Sequence, residues 1–423
     1  MVALFTKYST YLKNLTTYFG ASLIPMLLSL VTNPLVAENM DPEDYAISGY
    51  YSSFSSLIGP IIIFYIIHYY IKEYFRRNEE ERLKLFAIIA KASIWFSGLV
   101  SVLCLIVLFI YLKFFNPGFS FPIFPYLAFM VFSLPLTGLF SLEQARNRMN
   151  KDSKSFFKLS VYNSLISIAL LVLLVVIFKW GAFGKLLSPL IGNLIVFIFL
   201  GIRYIKVWKI KTTLQEFKPV FIFCLPMALS AMLGYFTNGF TVTFLESIGD
   251  VTEYGIYIVG NSIASYLLVF SNAFGNTFQP DLYESVIKNQ WRRYFKVCAI
   301  LILAYSVVAL IFIVLAPFII SILTAGRYVS ATGYARIIAL STISSGIYSL
   351  VNNFTISTNH PKLYLYTSIL GGCFMILLMP VAINKWSFYG GAWMSVISFI
   401  AYGIINIGLL ALVRFKLLPK SIG

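Results

Sequence analysis

Twelve stretches of this 423-residue chain run for 17 residues or more without an Asp, Glu, Lys or Arg. They lie between Lys13 and Glu38, Asp44 and Lys72, Lys91 and Lys113, Lys113 and Glu143, Lys158 and Lys179, and Lys185 and Arg203. The series continues between Lys218 and Glu246, Glu253 and Asp281, Lys296 and Arg327, Arg336 and Lys362, Lys362 and Lys385, and Lys385 and Arg414. A spanning helix needs roughly 20 apolar residues to cross a hydrocarbon core about 30 Å thick. Twelve transmembrane helices is therefore the direct reading. The shortest gap, Lys185–Arg203, gains length if its flanking charges snorkel to the interface. A β-barrel is a poor alternative, because barrel strands alternate over about ten residues, whereas 165–178 is an apolar block.

Composition closes other routes. Charged residues make up 11% of the chain, against about 25% in soluble globular proteins. Too little polar surface remains to coat a soluble enzyme, a nucleic-acid binder or a disordered chain. No cleavable signal is evident, and the first gap reads as the first span. Cys104, Cys224, Cys298 and Cys373 stand far apart inside spans, without CxxC spacing, so packing is expected of them and neither disulfides nor metal ligation.

Orientation follows from Lys and Arg in the short loops. With the N-terminus in the cytoplasm, 25 basic residues fall in inside segments and 5 in outside loops. Both termini are thus expected to be cytoplasmic, in a multi-pass protein of the inner (plasma) membrane. The net charge of +16 is then accounted for by loops facing an anionic leaflet, with no nucleic acid. The outside loops are short, and His68 and His360 have no Cys or Ser partner at a recognisable spacing. No catalytic constellation is visible, no cofactor is implied, and an enzyme is not expected.

The second half echoes the first. Residues 41–47 (DPEDYAI) match 250–256 (DVTEYGI) at an offset of 209, which also pairs Ser52 with Asn261, Ser53 with Ser262 and Ser56 with Ser265. Ile24-Pro25-Met26 resembles Leu225-Pro226-Met227, and Asn33 and Asn238 follow those prolines. Six spans per half make parallel repeats, an arrangement in which two lobes commonly enclose a path between them. The expected architecture is all-α and integral to the membrane, with twelve helices in two parallel six-helix lobes, 1–208 and 209–423, around a central cavity. Serines in spans are frequently packing devices. Asn261 is costlier to leave unpaired in hydrocarbon, so it faces a wet cavity or bonds another helix. Pro25, Pro60, Pro135, Pro226 and Pro317 bend spans and free carbonyls that need other donors.

With these residues in place the chain resembles the bacterial polysaccharide (O-antigen type) flippases. Their superfamily also includes multidrug and toxin extruders and lipid II flippases. The resemblance is carried by Asn33-Pro34-Leu35, Asp41-Pro42-Glu43-Asp44-Tyr45 and Glu253-Tyr254-Gly255-Ile256-Tyr257. Phe278-Gln279-Pro280-Asp281-Leu282-Tyr283-Glu284 and Tyr389-Gly390-Gly391-Ala392-Trp393 extend it. The chain departs from the family at Glu38-Asn39, where a basic residue is common, and at Asn238-Gly239, where many members carry Asp-Arg.

The resemblance implies a transporter that moves an oligosaccharide on a polyprenyl pyrophosphate carrier from the inner to the outer leaflet. Membrane lipids, and other polysaccharide assembly proteins, are the further partners it leaves room for. Such a headgroup needs a hydrophilic cavity with cations for its phosphates. Lys91 and Arg336 are the candidate cations, with snorkelling as the competing explanation of each, and Asn261, Ser52, Asn33 and Asn238 are the candidate polar contacts. A drug/cation antiporter of the same fold is the alternative within transport, and an integral-membrane polysaccharide polymerase the alternative outside it. The antiporter usually wants an intramembrane carboxylate, and all 16 acids read as loop or span-end residues.

Overall fold

The computed structural model describes residues 20, 24–116, 121–237, 239–357 and 362–414. Among them there are helices and no strands. In chain order these are α1 (Ile24–Glu38), α2 (Pro42–Ile63), α3 (Ile66–Tyr74), α4 (Glu79–Ile110), α5 (Tyr126–Met149), α6 (Ser153–Leu171) and α7 (Gly181–Arg203). They continue with α8 (Ile205–Trp208), α9 (Leu214–Leu233), α10 (Gly239–Leu245), α11 (Val251–Ile287), α12 (Trp291–Leu323), α13 (Thr332–Ser357) and α14 (Lys362–Arg414). Ten described helices are long and apolar enough to cross a membrane, while Ile24–Glu38 and Gly239–Ile248 are shorter apolar helices.

α14 enters that count once although it has two arms. A straight helix of its 53 residues would be about 80 Å long, far beyond one hydrocarbon core. The chain breaks at Ser387 (φ 50°, ψ −133°). A Cβ on Gly371 would lie 2.3 Å from the ring of Tyr402, and the Tyr402 hydroxyl reaches the Ser368 carbonyl at 3.5 Å. Both contacts join residues nearly equidistant from Ser387, so the two arms run antiparallel.

The chain divides into two compact units, Met1–Met40 with Phe54–Met232, and Asp41–Ser53 with Leu233–Gly423. Relative to the repeat halves, the first turns of α2 join the second unit and most of α9 joins the first.

In the first unit α5 packs on α4 and α7, and α6 on α7. Small residues allow close approach: a Cβ on Gly138 would lie 3.0 Å from Cβ of Ser93, and one on Gly184 3.0 Å from the Leu174 backbone. This is how helices attract in lipid, where no hydrophobic force separates interior from exterior. A core of Phe64, Tyr70, Phe86, Leu139, Leu142, Val220 and Cys224 lies among α3, α4, α5 and α9. α4 opens with a reciprocal capping box between Asn78 and Glu81, which satisfies backbone donors of the first turn.

In the second unit α13 packs on α11, α12 and α14. The Asp41–Ser53 segment lies on α11 at glycine-width spacing. A Cβ on Gly255 would fall 1.9 Å from the Pro42 carbonyl oxygen, and one on Gly49 2.6 Å from Ile258. Tyr45 meets Tyr328 edge-on at 5.3 Å, and Arg327 pairs with Asp41 at 2.9 Å. The two sequence repeats, 41–47 and 250–256, thus meet within one unit.

Candidate functional site

The first unit encloses a cavity of about 680 Å³ lined by α1, α2, α3, α5 and α6. Its wall is made by a break in the backbone. Pro60 cannot donate to the carbonyl four residues earlier, and Phe64 and Tyr65 then take left-handed conformations, both at φ 52°. Bulky residues seldom adopt this region. Chain direction changes here and α3 restarts at Ile66. Freed groups find local partners: His68 N–H donates to the Tyr65 carbonyl at 2.9 Å, and the Cys224 thiol reaches the same oxygen at 3.5 Å. Broken helix is tolerated at membrane depth only where protein buries it or where it lines a cavity. Here Gly59, Pro60, Ile63, Tyr65 and His68 all line the cavity.

Opposite the break, α5 and α6 present polar side chains at helical spacing. Gln144 and Arg148 stand four residues apart on α5, and Ser160, Asn163 and Ser164 share one face of α6. That spacing places each set on one side of its helix. Gln144 is 7% exposed; its Nε2 donates to Ser160 Oγ at 2.7 Å, and its Oε1 has no partner among the described residues. An unpaired buried amide oxygen is costly, so a hydroxyl or amide donor entering the cavity is favoured there. Arg148 is exposed and carries the formal charge of the described lining, which holds no carboxylate.

Beside the cavity lies a buried ionic cluster. Glu143 is 2% exposed. It accepts a hydrogen bond from the Tyr204 hydroxyl and faces Arg203 at 3.5 Å, while Arg146 donates to the Tyr204 hydroxyl at 2.8 Å and lies over the Phe86 ring at 5.2 Å. Glu143 reads from sequence as a span-end residue; α5 runs on to Met149, and its carboxylate is buried within the helix bundle. Two guanidinium groups and a tyrosine hydroxyl provide the pairing a buried charge requires.

Of the six residues singled out in the sequence, the five that the structure describes do not line this cavity. Lys91 is half-buried on α4 and donates to the Ile210 carbonyl at 2.6 Å and to Thr212 Oγ1 at 3.3 Å, tying the segment before α9 to α4. Arg336, on α13, is exposed, and its Nε donates to the Ile313 carbonyl at 3.1 Å. That carbonyl stands four residues before Pro317 in α12, so proline deprives it of its helical donor and Arg336 supplies the missing one. Asn33 is half-buried on α1. Ser52 is exposed on the part of α2 belonging to the second unit, and Asn261 is half-buried on α11. Asn238 and His360 lie outside the described residues.

The residues that do line the cavity were visible in part. Arg148 counts toward orientation alone, and His68 reads only as a histidine without a Cys or Ser partner. Gln144 with Arg148 at i, i+4, answered by Asn163 in the next span, was the available signal.

The family model for "Polysaccharide biosynthesis protein" matches residues 11–280. The chain belongs to the polysaccharide biosynthesis protein family. No curated protein matches it. A MATE family multidrug resistance transporter of the MOP superfamily, in its inward-facing conformation, has a TM-score of 0.70 at 12% identity, covering 94% of this chain and 98% of its own. The lipid II flippase MurJ, inward closed, has a TM-score of 0.66 at 14% identity, covering 93% and 87%. A point mutant of the Vibrio cholerae MATE transporter VcmN has 0.58 at 14% identity, covering 97% and 98%. At such identities the likeness is one of fold. This member of the family is a multi-pass helical membrane protein with the fold of the MOP superfamily transporters.

Proposed function

We propose that the chain is a flippase for polyprenyl-pyrophosphate-linked oligosaccharide, moving repeat units from the inner to the outer leaflet by alternating access for surface polysaccharide biosynthesis. The finer architecture belongs to this reading: twelve crossings, with α14 contributing two and α1 one, in two parallel lobes, 1–208 and 209–423, and both termini in the cytoplasm. The observation that carries it is the cavity behind the α2–α3 break. Its amides and hydroxyls suit sugar hydroxyls, and Arg148 suits a phosphate oxygen, since guanidinium matches phosphate in charge and geometry. A hydrophilic headgroup in hydrocarbon needs such replacements for water. The family description and the fold shared with a lipid II flippase support the same class. A cation-drug antiporter fits less well, because the described lining offers an arginine and no carboxylate.

The test is surface polysaccharide normalised to membrane-inserted protein, with lipid-linked repeat units assayed on the cytoplasmic leaflet. Deletion of the gene should make those units accumulate. Arg148→Ala and Gln144→Ala should each lower surface polysaccharide strongly, and Arg148→Lys should retain more, because charge survives while the bidentate geometry does not. Wild-type output from the Arg148→Ala, Gln144→Ala double variant would remove this cavity from the transport path.

A further inference from the structure

The second unit carries an apolar trough that the transport reading leaves unused. α12 and the second arm of α14 both pack on α13 and barely touch one another. Side chains from the flanking helices do not fill the space between them. One cavity of about 810 Å³ lies between Trp291, Phe295 and Cys298 on α12, Val351 and Phe354 on α13, and Leu410 on α14. A second of about 410 Å³ continues it along α13 to Leu340. Ile347, Val351 and Ile407 line both. From Leu340 to Phe354 the floor is roughly 20 Å long at about 1.5 Å per residue. Two of its polar groups are satisfied within the protein: Ser344 donates to the Ser341 carbonyl at 3.2 Å, and the Tyr294 hydroxyl reaches the Leu350 carbonyl at 3.5 Å. Nothing here could hold a sugar or a charged drug. A hydrocarbon chain is the chemistry it accepts, since an unfilled trough forfeits dispersion contacts along its whole length.

One end is different. Trp291 packs across the mouth on Phe354, ring centroids 6.2 Å apart. Arg292 follows it, exposed and without a hydrogen bond or ion pair among the described residues, whereas Arg293 is already paired with Asp281 and Glu284. An apolar furrow closed by a tryptophan and flanked by arginine fits a molecule with one long apolar chain and an anionic head.

We propose that this trough seats the isoprenoid chain of a polyprenyl phosphate carrier, with the phosphate held at Arg292. The site goes beyond the sugar-facing cavity of the first unit and rests on the flippase reading only for the choice of carrier over phospholipid. It holds the sugar-free carrier by its chain and phosphate, a binding event separate from that of the sugar-linked pyrophosphate assigned to Arg148.

The test uses the full chain in nanodiscs of phosphatidylethanolamine and phosphatidylglycerol with a photoreactive polyprenyl monophosphate, which bears no sugar. Cross-links should map to α12, α13 and the second arm of α14, and unlabelled polyprenyl phosphate should compete them away. Val351→Trp, which fills the point shared by both cavities, should abolish labelling, and Arg292→Ala should reduce it severalfold. Ile404→Trp, on an exposed position of the same wall, repeats the block where Val351→Trp fails to fold. Labelling that a photoreactive phosphatidylglycerol reproduces and polyprenyl phosphate does not displace would overturn the proposal, as would labelling unchanged in the folded tryptophan variants. Because the probe carries no sugar, the two readings fail separately: a deletion strain that accumulates no lipid-linked repeat units sinks the flippase reading, and intact labelling then leaves the trough standing.

Discussion

Arg336 shows how a single cation can serve the backbone of a neighbouring helix. From sequence it is a cation in search of an anion; in the fold it donates to the carbonyl that Pro317 leaves unserved. The pairing makes a directed prediction. Arg336→Ala should destabilise the protein by about 1 kcal/mol, the ordinary net worth of one hydrogen bond. Pro317→Ala in that background should recover most of the loss, because the substituted residue regains an N–H for the Ile313 carbonyl. Thermal unfolding in detergent of the two single variants and the double gives the coupling. Additive losses would show that the side chain and the proline are independent. Lys91 follows the same logic, since its ammonium serves a carbonyl and a hydroxyl in the segment before α9. At both positions the cation serves a backbone carbonyl of the protein.

Helix junctions set the geometry that these residues occupy. Two of them depend on backbone features and differ in the expected sign of substitution. Ser387 sits at φ 50°, ψ −133°, where a side chain is strained and glycine is not. Ser387→Gly should therefore raise thermal stability by about 1 kcal/mol, and Ser387→Val should lower it. Gly255 is the opposite case, because a Cβ there would fall 1.9 Å from the Pro42 carbonyl oxygen. Gly255→Ala must push the start of α2 off α11, and a loss of folded protein in membranes is expected. Gly98 on α4 is the control: a Cβ there meets nothing within 4 Å, so alanine should be neutral or gain up to about 1 kcal/mol of helix propensity. Fluorescence size-exclusion with a melting series measures all four. Equal behaviour of the Gly255→Ala and Gly98→Ala variants would contradict the close contact. The α2–α3 break belongs to the same class, since Pro60 and the left-handed Phe64 and Tyr65 turn His68 toward the cavity.

For the whole molecule the basic-residue asymmetry predicts a topology that labelling can test. Single cysteines at Asn150 and Asn289, in a background lacking the four native thiols, should be blocked only by reagents that enter the cytoplasm. A cysteine at Ser247 should be blocked by impermeant reagents. Labelling of the Asn289 position from outside would reverse the assigned orientation and break the parallel repeat. Such arguments work on a bare sequence because they concern water and lipid. A charge in hydrocarbon is expensive wherever it points, and every backbone polar group must be satisfied within the protein, mostly inside its own helix. Spacing of charges along the chain thus determined by itself the helical class, the membrane location and nearly all of the spans, including the turn at Lys385–Ser387 within α14. It did not determine which side of each helix meets another. Lipid tails are as apolar as leucine, so no amphipathic stripe marks the interior of a membrane bundle, and the inward face is chosen by shape, by hydrogen bonding and by close approach at glycine. Only the tertiary structure could therefore enclose Glu143 between two arginines, set Gln144 and Arg148 in a cavity with Asn163, give Arg336 to a proline's orphaned carbonyl, and leave a trough beside α13 unfilled.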